Sequence, residues 1–152
     1  MAQLVDPTPE QILGFCAEDP VERVFLEDVA RRGGGTFAGV EEDGRLVGLC
    51  HTGANIVPSG RRCERFADLT VGARARMIIG EQEAVSELWQ AAARRLPDPR
   101  EDRPHQPVYT ISAPPDPGGT GLREATLDDL ELLVPACARA HELELGIDPL
   151  SV

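Results

Sequence analysis

One stretch decides how this chain can be divided. Ala113-Pro114-Pro115-Asp116-Pro117-Gly118-Gly119-Thr120-Gly121 places three prolines and three glycines in nine residues. Each proline removes a backbone donor and fixes φ, and each glycine raises the entropy lost on ordering. Neither a helix nor a strand continues through such a run. The spacing predicts a linker over 113–121, a complete domain over 1–112, and over 122–152 the opening of a second unit, cut off after about one strand and one helix.

Charge narrows the partners. The chain carries 26 Asp+Glu against 15 Lys+Arg, a net charge of −11, and every one of those cations is arginine. An acidic chain with scattered arginines is a poor match to a phosphate backbone, so nucleic acid is not an expected partner. The 41% apolar content is enough for a core. No run approaches the roughly 18 apolar residues of a spanning helix, so no membrane partner is expected. Met1-Ala2-Gln3-Leu4-Val5-Asp6-Pro7 has neither the basic nor the apolar region of a secretory leader, and a cytoplasmic location follows.

The cysteines Cys16, Cys50, Cys63 and Cys137 form no Cys-x-x-Cys pair. They read as small buried residues in a reducing compartment. Cys137 and His141 stand one helical turn apart but supply only two ligands, so no metal is expected. Cys50 and His51 are neighbours on a predicted strand and point to opposite faces, which makes a poor nucleophile–base pair.

Along the chain, Leu4-Val5 is a short strand. Thr8-Pro9-Glu10-Gln11 is a helix start with a capping box, and Ile12, Leu13, Phe15 and Cys16 give that helix its apolar face. Asp19-Pro20-Val21-Glu22 repeats the start signal for a second helix, which Gly33-Gly34-Gly35 ends. Thr36–Glu41 and Leu46–Thr52 form a hairpin about Asp43-Gly44, with Glu41-Glu42-Asp43 a solvated charge run at its tip. Ala54–Val57 is a third strand of this run, stopped by Pro58-Ser59-Gly60. Arg62–Val71 reads as a helix, and Ala75–Ile79 as a buried strand. Glu81–Leu96 is a helix with the stripe Val85, Leu88, Trp89, Ala92 and Leu96. Val108–Ser112 is a last strand, reached through the stiff loop Arg103-Pro104-His105-Gln106-Pro107. After the linker, Leu122–Thr126 is an edge strand. Thr126 then caps a helix bearing Leu127, Leu130, Val134 and Cys137, which Pro135 should kink or interrupt. The expected fold class is a mixed α/β (α+β) arrangement, a mainly antiparallel sheet with flanking helices.

The order β-α-α-β-β-β-α-β-α-β resembles the GCN5-related N-acetyltransferase fold. Asp19–Leu26, Leu46–Pro58, Ile78–Val85 and Arg103–Pro107 resemble the N-terminal half of two-domain actinobacterial acetyltransferases, a likeness covering about residues 1–112. Leu122–Leu130 is similar to the opening strand and helix of a second, C-terminal acetyltransferase unit. The resemblance implies acetyl transfer from acetyl-CoA to an amine in the full-length family, without a covalent enzyme intermediate.

Such enzymes hold the cofactor's pyrophosphate on backbone N–H groups at a helix start after the fourth strand. Here that position is Pro58-Ser59-Gly60-Arg61-Arg62-Cys63. Ser59, Gly60, Arg61 and Arg62 are therefore the candidate cofactor-binding residues for acetyl-CoA, another acyl-CoA or another small molecule. The run lacks the second small residue and the spacing of the family loop, so this chain is not expected to be catalytic. Tyr109 stands where a general acid would be sought, and Asn55 where the pantetheine arm would pass. The alternative expectation is a non-catalytic ligand-binding or dimerisation module, a homodimer in which uncovered sheet edges and apolar helix faces associate.

Overall fold

The computed structural model describes residues 1–114, 121–146 and 148–150. Its contacts divide into two units, Met1–Ile111 and Ser112–Val152. Six of the nine linker residues (115–120) lie outside the described residues.

The first unit is an α+β domain. Strand β1 (Gln3–Val5) is followed by helices α1 (Pro9–Cys16) and α2 (Val24–Arg31). Then come β2 (Thr36–Glu42), β3 (Arg45–Thr52) and β4 (Ile56–Gly60). A 3-10 turn (Cys63–Phe66) leads into the short α3 (Ala67–Thr70), and α4 (Gln82–Ala92) ends in a second 3-10 turn, Ala93–Arg95. The sheet order is β1-β2-β3-β4, antiparallel throughout.

Local chemistry accounts for most of these elements. Thr8 caps α1: its hydroxyl accepts the Gln11 N–H, while Gln11 accepts the Thr8 N–H, at 3.2 and 2.9 Å. Asp43 and Gly44 both take positive φ, 50° and 78°, as a two-residue hairpin turn requires. The pairing jumps from Val40↔Gly48 to Glu41↔Leu46, so Val47 is an extra residue in β3. The bulge lets both Leu46 and Leu49 face the α1–α2 layer. That face packs Ile12, Phe15, Cys16, Leu26 and Val57 with them. The other face packs Val40, Cys50 and Ile56 against Cys63, Phe66, Ala84, Leu88 and Ala92. The sheet is thus covered on both sides.

Several expectations need correction. The second helix starts at Val24, because residues 19–23 form a turn in which the Arg23 N–H donates to the Asp19 carbonyl at 3.1 Å. The last-but-one helix buries Ala84, Leu88 and Ala92, leaving Val85 and Trp89 on its flank. Pro58 does not stop the fourth strand, which runs from Ile56 to Gly60. A missing N–H costs least at the edge of a ladder.

Ala75–Ile79 forms no buried strand. It makes one parallel bridge, Ile56↔Ile78, in which Ile56 N–H donates to Met77 O (2.9 Å) and Ile79 N–H to Ile56 O (3.0 Å). The next donor on the same edge of β4 would be residue 58, a proline, so the ladder cannot propagate. Val108–Ser112 is not a strand either, and Val108, Tyr109 and Ile111 are exposed.

In the second unit, Leu122–Thr126 is not a strand. Thr126 and Asp129 form a capping box around a 3-10 turn (Leu127–Asp129), and Arg123 grips the Asp129 carboxylate with two bonds of 2.7 and 2.6 Å. Helix α5 (Leu130–Leu145) runs through Pro135 without a break and ends at Gly146, φ 62°. Pro135 sits in its second turn, where it forfeits only the bond to Glu131. Leu127, Leu130, Val134 and Cys137, the apolar residues at helical spacing, are exposed. Among the described residues no helix is long and apolar enough to cross a membrane.

Candidate functional site at the end of the fourth strand

The candidate cofactor residues lie where β4 leaves the sheet. Ser59 pairs with Leu49 and Gly60 with Gly48, so both belong to the strand rather than to a loop. Ser59 points to the α1–α2 face and is 2% exposed. Gly60 has φ 83°, and a Cβ there would stand 2.5 Å from Val47 O, so only glycine fits. Arg61 N–H closes the turn onto Val47 O at 2.9 Å, and Arg62 takes the left-handed conformation, φ 65°.

The donors of this segment already have an anion. Ser59 Oγ–H donates to Glu81 Oε1, and Gly60 N–H to Glu81 Oε2 at 3.1 Å. Arg23 Nε lies 3.4 Å from Glu81 Oε1. A little further on, Cys63 N–H donates to Glu87 Oε2 at 2.8 Å. Arg62 faces outward, pairing with Glu42 at 3.1 Å and Glu64 at 3.7 Å. Glu81 therefore occupies the Ser59 hydroxyl and the Gly60 N–H expected to hold a phosphate, while Glu87 from the second turn of α4 takes the N–H of the following Cys63.

Gly80 closes the remaining gap. A Cβ at this position would stand 2.4 Å from the Pro58 carbonyl oxygen. The run from Met77 to Glu81 thus lies directly along β4, first by the bridge at Ile56, then by the approach at Gly80, then by the Glu81 carboxylate.

The other candidates stand apart. Tyr109 is 85% exposed and outside any strand. Asn55 lies in the bend before β4, half-buried, its carbonyl accepting the Gly53 N–H at 3.0 Å. The acidic run at the hairpin tip is not wholly solvated, since Glu41 and Glu42 are half-buried and Glu42 holds Arg62. Arg103 pairs with Glu101 at 2.7 Å, and His105 is exposed with φ 71°.

Cys50 and His51 do face opposite layers. Cys50 joins the α3–α4 core, while His51, 7% exposed, sits edge-on to Phe25 and Phe37 at 5.8 and 5.2 Å between ring centres. Its Nδ1 is buried without a partner, and burial pushes its pKa below the usual 6.5. Burial also pushes the thiols up, Cys16 to about 11 and Cys50 to about 12, with Cys63 raised further by the carboxylates near it. A thiol held protonated is a weak nucleophile. Among the described residues no three His, Cys, Asp or Glu side chains converge as a metal site would require.

A family model described as "Domain of unknown function (DUF4081)" matches residues 35–133. The chain belongs to this family. The DUF4081 region starts at Gly35, just before β2, and takes in β3, β4, α3 and α4. It contains Ser59, Gly60, Glu81 and Glu87 but not Arg23. No curated protein and no solved structure matches the chain.

Sequence reasoning missed Glu81, Arg23 and Glu87. Glu81 read as one more acid in the first turn of a helix, where the dipole favours it. Its partners are 22 and 58 residues away along the chain. The one available signal was the buried-strand serine beside a glycine, whose donors must be satisfied by something.

Proposed function

We propose that Met1–Ile111 is an acetyltransferase-like domain with a closed cofactor cleft, acting as a non-catalytic partner to acetyl transfer carried out elsewhere in the full-length protein. The order β1-α1-α2-β2-β3-β4-α3, followed by a parallel bridge to β4 and then α4, supports the acetyltransferase part. The observation that carries the non-catalytic part is Glu81. Its carboxylate holds the Ser59 hydroxyl and the Gly60 N–H, and a cofactor phosphate would have to displace it. A cytoplasmic setting fits the free state of Cys16, Cys50, Cys63 and Cys137.

Thermal melting with acetyl-CoA and CoA tests this reading. A ligand that binds only the folded state raises Tm by mass action. The expected outcome is an unchanged Tm with either compound at about 1 mM, and no acetylation of an amine acceptor. A saturable rise that is lost in Arg61→Ala/Arg62→Ala would restore acetyl-CoA as a cofactor and overturn the non-catalytic role.

A second reading, self-association, has one observation in its favour. Leu130, Leu132, Leu133, Val134 and Leu143 of α5 are exposed. By helical spacing Leu130, Leu133 and Val134 share one side of α5 and Leu132 and Leu143 the other, and exposed apolar groups of this kind mark association surfaces.

A further inference from the structure

We propose that Arg23, Ser59 and Gly60 form a binding site for a small oxyanion, a carboxylate or a phosphate, and that Glu81 is its built-in, displaceable occupant. The inference rests on the donor set and does not use the acetyltransferase reading.

Three donors from two segments, the end of β4 and the turn before α2, converge on one carboxylate: a hydroxyl, a backbone N–H and a guanidinium. This is the donor set that oxyanion recognition uses, with charge-assisted bonds stronger than neutral ones. Each donor is held in place by contacts that do not involve Glu81. Arg23 is 12% exposed. Its Nη1 donates to Phe15 O at 2.6 Å, and its guanidinium lies 3.8 Å over the Phe15 ring. Its other acidic neighbour is Glu18, at 3.8 Å. Ser59 is fixed by the β3–β4 ladder, and Gly60 by its seat against Val47 O and Phe15.

Glu81 is different. It is 24% exposed and stands immediately before α4. It caps none of that helix's N–H groups with its side chain. When it swings out, the cradle keeps its shape and its positive charge.

A tethered carboxylate competes at an effective concentration of roughly millimolar or more. An external anion must exceed that in the native chain, and much less is needed once Glu81 is gone. Glu81 is thus a gate: occupancy by an outside oxyanion would free the residue that leads into α4.

The test is thermal melting of the wild-type chain, Glu81→Ala, and the double variant Glu81→Ala/Arg23→Gln. Each is titrated with sodium phosphate or sodium acetate, with chloride keeping ionic strength constant. The expected result is a saturable rise in Tm for Glu81→Ala, with an apparent Kd at least tenfold below that of wild type. The rise should vanish in the double variant. The two titrations separate phosphate from carboxylate as the preferred occupant. Equal responses from wild type and Glu81→Ala, or a response that survives loss of Arg23, would overturn the site. If Glu81→Ala does not fold in chloride, its refolding yield in phosphate and acetate decides: rescue supports the cradle, and no rescue rejects it. Binding of acetyl-CoA by wild type would remove the non-catalytic reading while leaving this inference standing.

Discussion

His51 is the residue whose environment sets a measurable pH response. Its ring is buried between Phe25 and Phe37, with an unpartnered Nδ1, and its pKa is pushed down by burial alone. The unfolded chain therefore binds a proton at a pH where the folded chain does not. The His51 contribution is fully present above the ordinary value of 6.5 and is lost as pH falls toward the lower folded value. We expect the urea midpoint to drop between about pH 7.5 and pH 5.5, and the drop to shrink in His51→Leu. An unchanged slope in that variant would assign the acid response to other groups. The arrangement of His51 and Cys50 on opposite faces was legible from the sequence, because strand alternation is strictly local. The aromatic neighbours were not, since Phe25 comes from α2 and Phe37 from β2.

At the scale of elements, Gly80 has the sharpest consequence. Its absent side chain lets the run after Met77 lie against the Pro58 carbonyl, with a would-be Cβ at 2.4 Å. Backbone on both sides of that contact leaves no flexible group to yield. Gly80→Ala should cost about 1–3 kcal/mol, the range for forced overpacking, read as a lower urea midpoint at unchanged m-value. Stability equal to wild type would mean that residues 77–81 do not hold this position. The elements that the sequence made legible are those specified within a few residues: the Thr8 capping box, the Asp43-Gly44 hairpin and the Thr126 cap. Ala75–Ile79, Val108–Ser112 and Leu122–Thr126 are all expected as strands, and none of them forms one. Ala75–Ile79 and Val108–Ser112 have strand composition, yet a strand also needs a partner edge with free donors. Pro58 withholds the donor from Ala75–Ile79. The site was half legible on the same grounds. Ser59 and Gly60 were found from their place after a strand, but the carboxylate they hold arrives from Glu81, just before α4.

At the scale of the whole molecule, the two units differ in how they use apolar side chains. Met1–Ile111 builds a core on each face of its sheet. Helix α5 of the second unit leaves Leu130, Leu133 and Val134 exposed along one side. If this stripe mediates self-association, sedimentation of the wild-type chain will show a dimer at high concentration, and Leu130→Glu/Val134→Glu will sediment as a monomer. A wild-type chain that stays monomeric at about 100 μM, roughly where weak interfaces still populate dimers, would remove the dimer reading.

The proline in β4 carries one more implication, for how copies of this molecule can meet. An open strand edge invites a second chain to zip on, and natural sheets blunt that hazard with interruptions in the donor row. Pro58 is such an interruption, placed mid-strand on the outward side of β4. The device that truncates the internal ladder after one bridge therefore also guards this flank against strand addition. Strand addition along this flank is interrupted at its third residue, where the donor row has a gap.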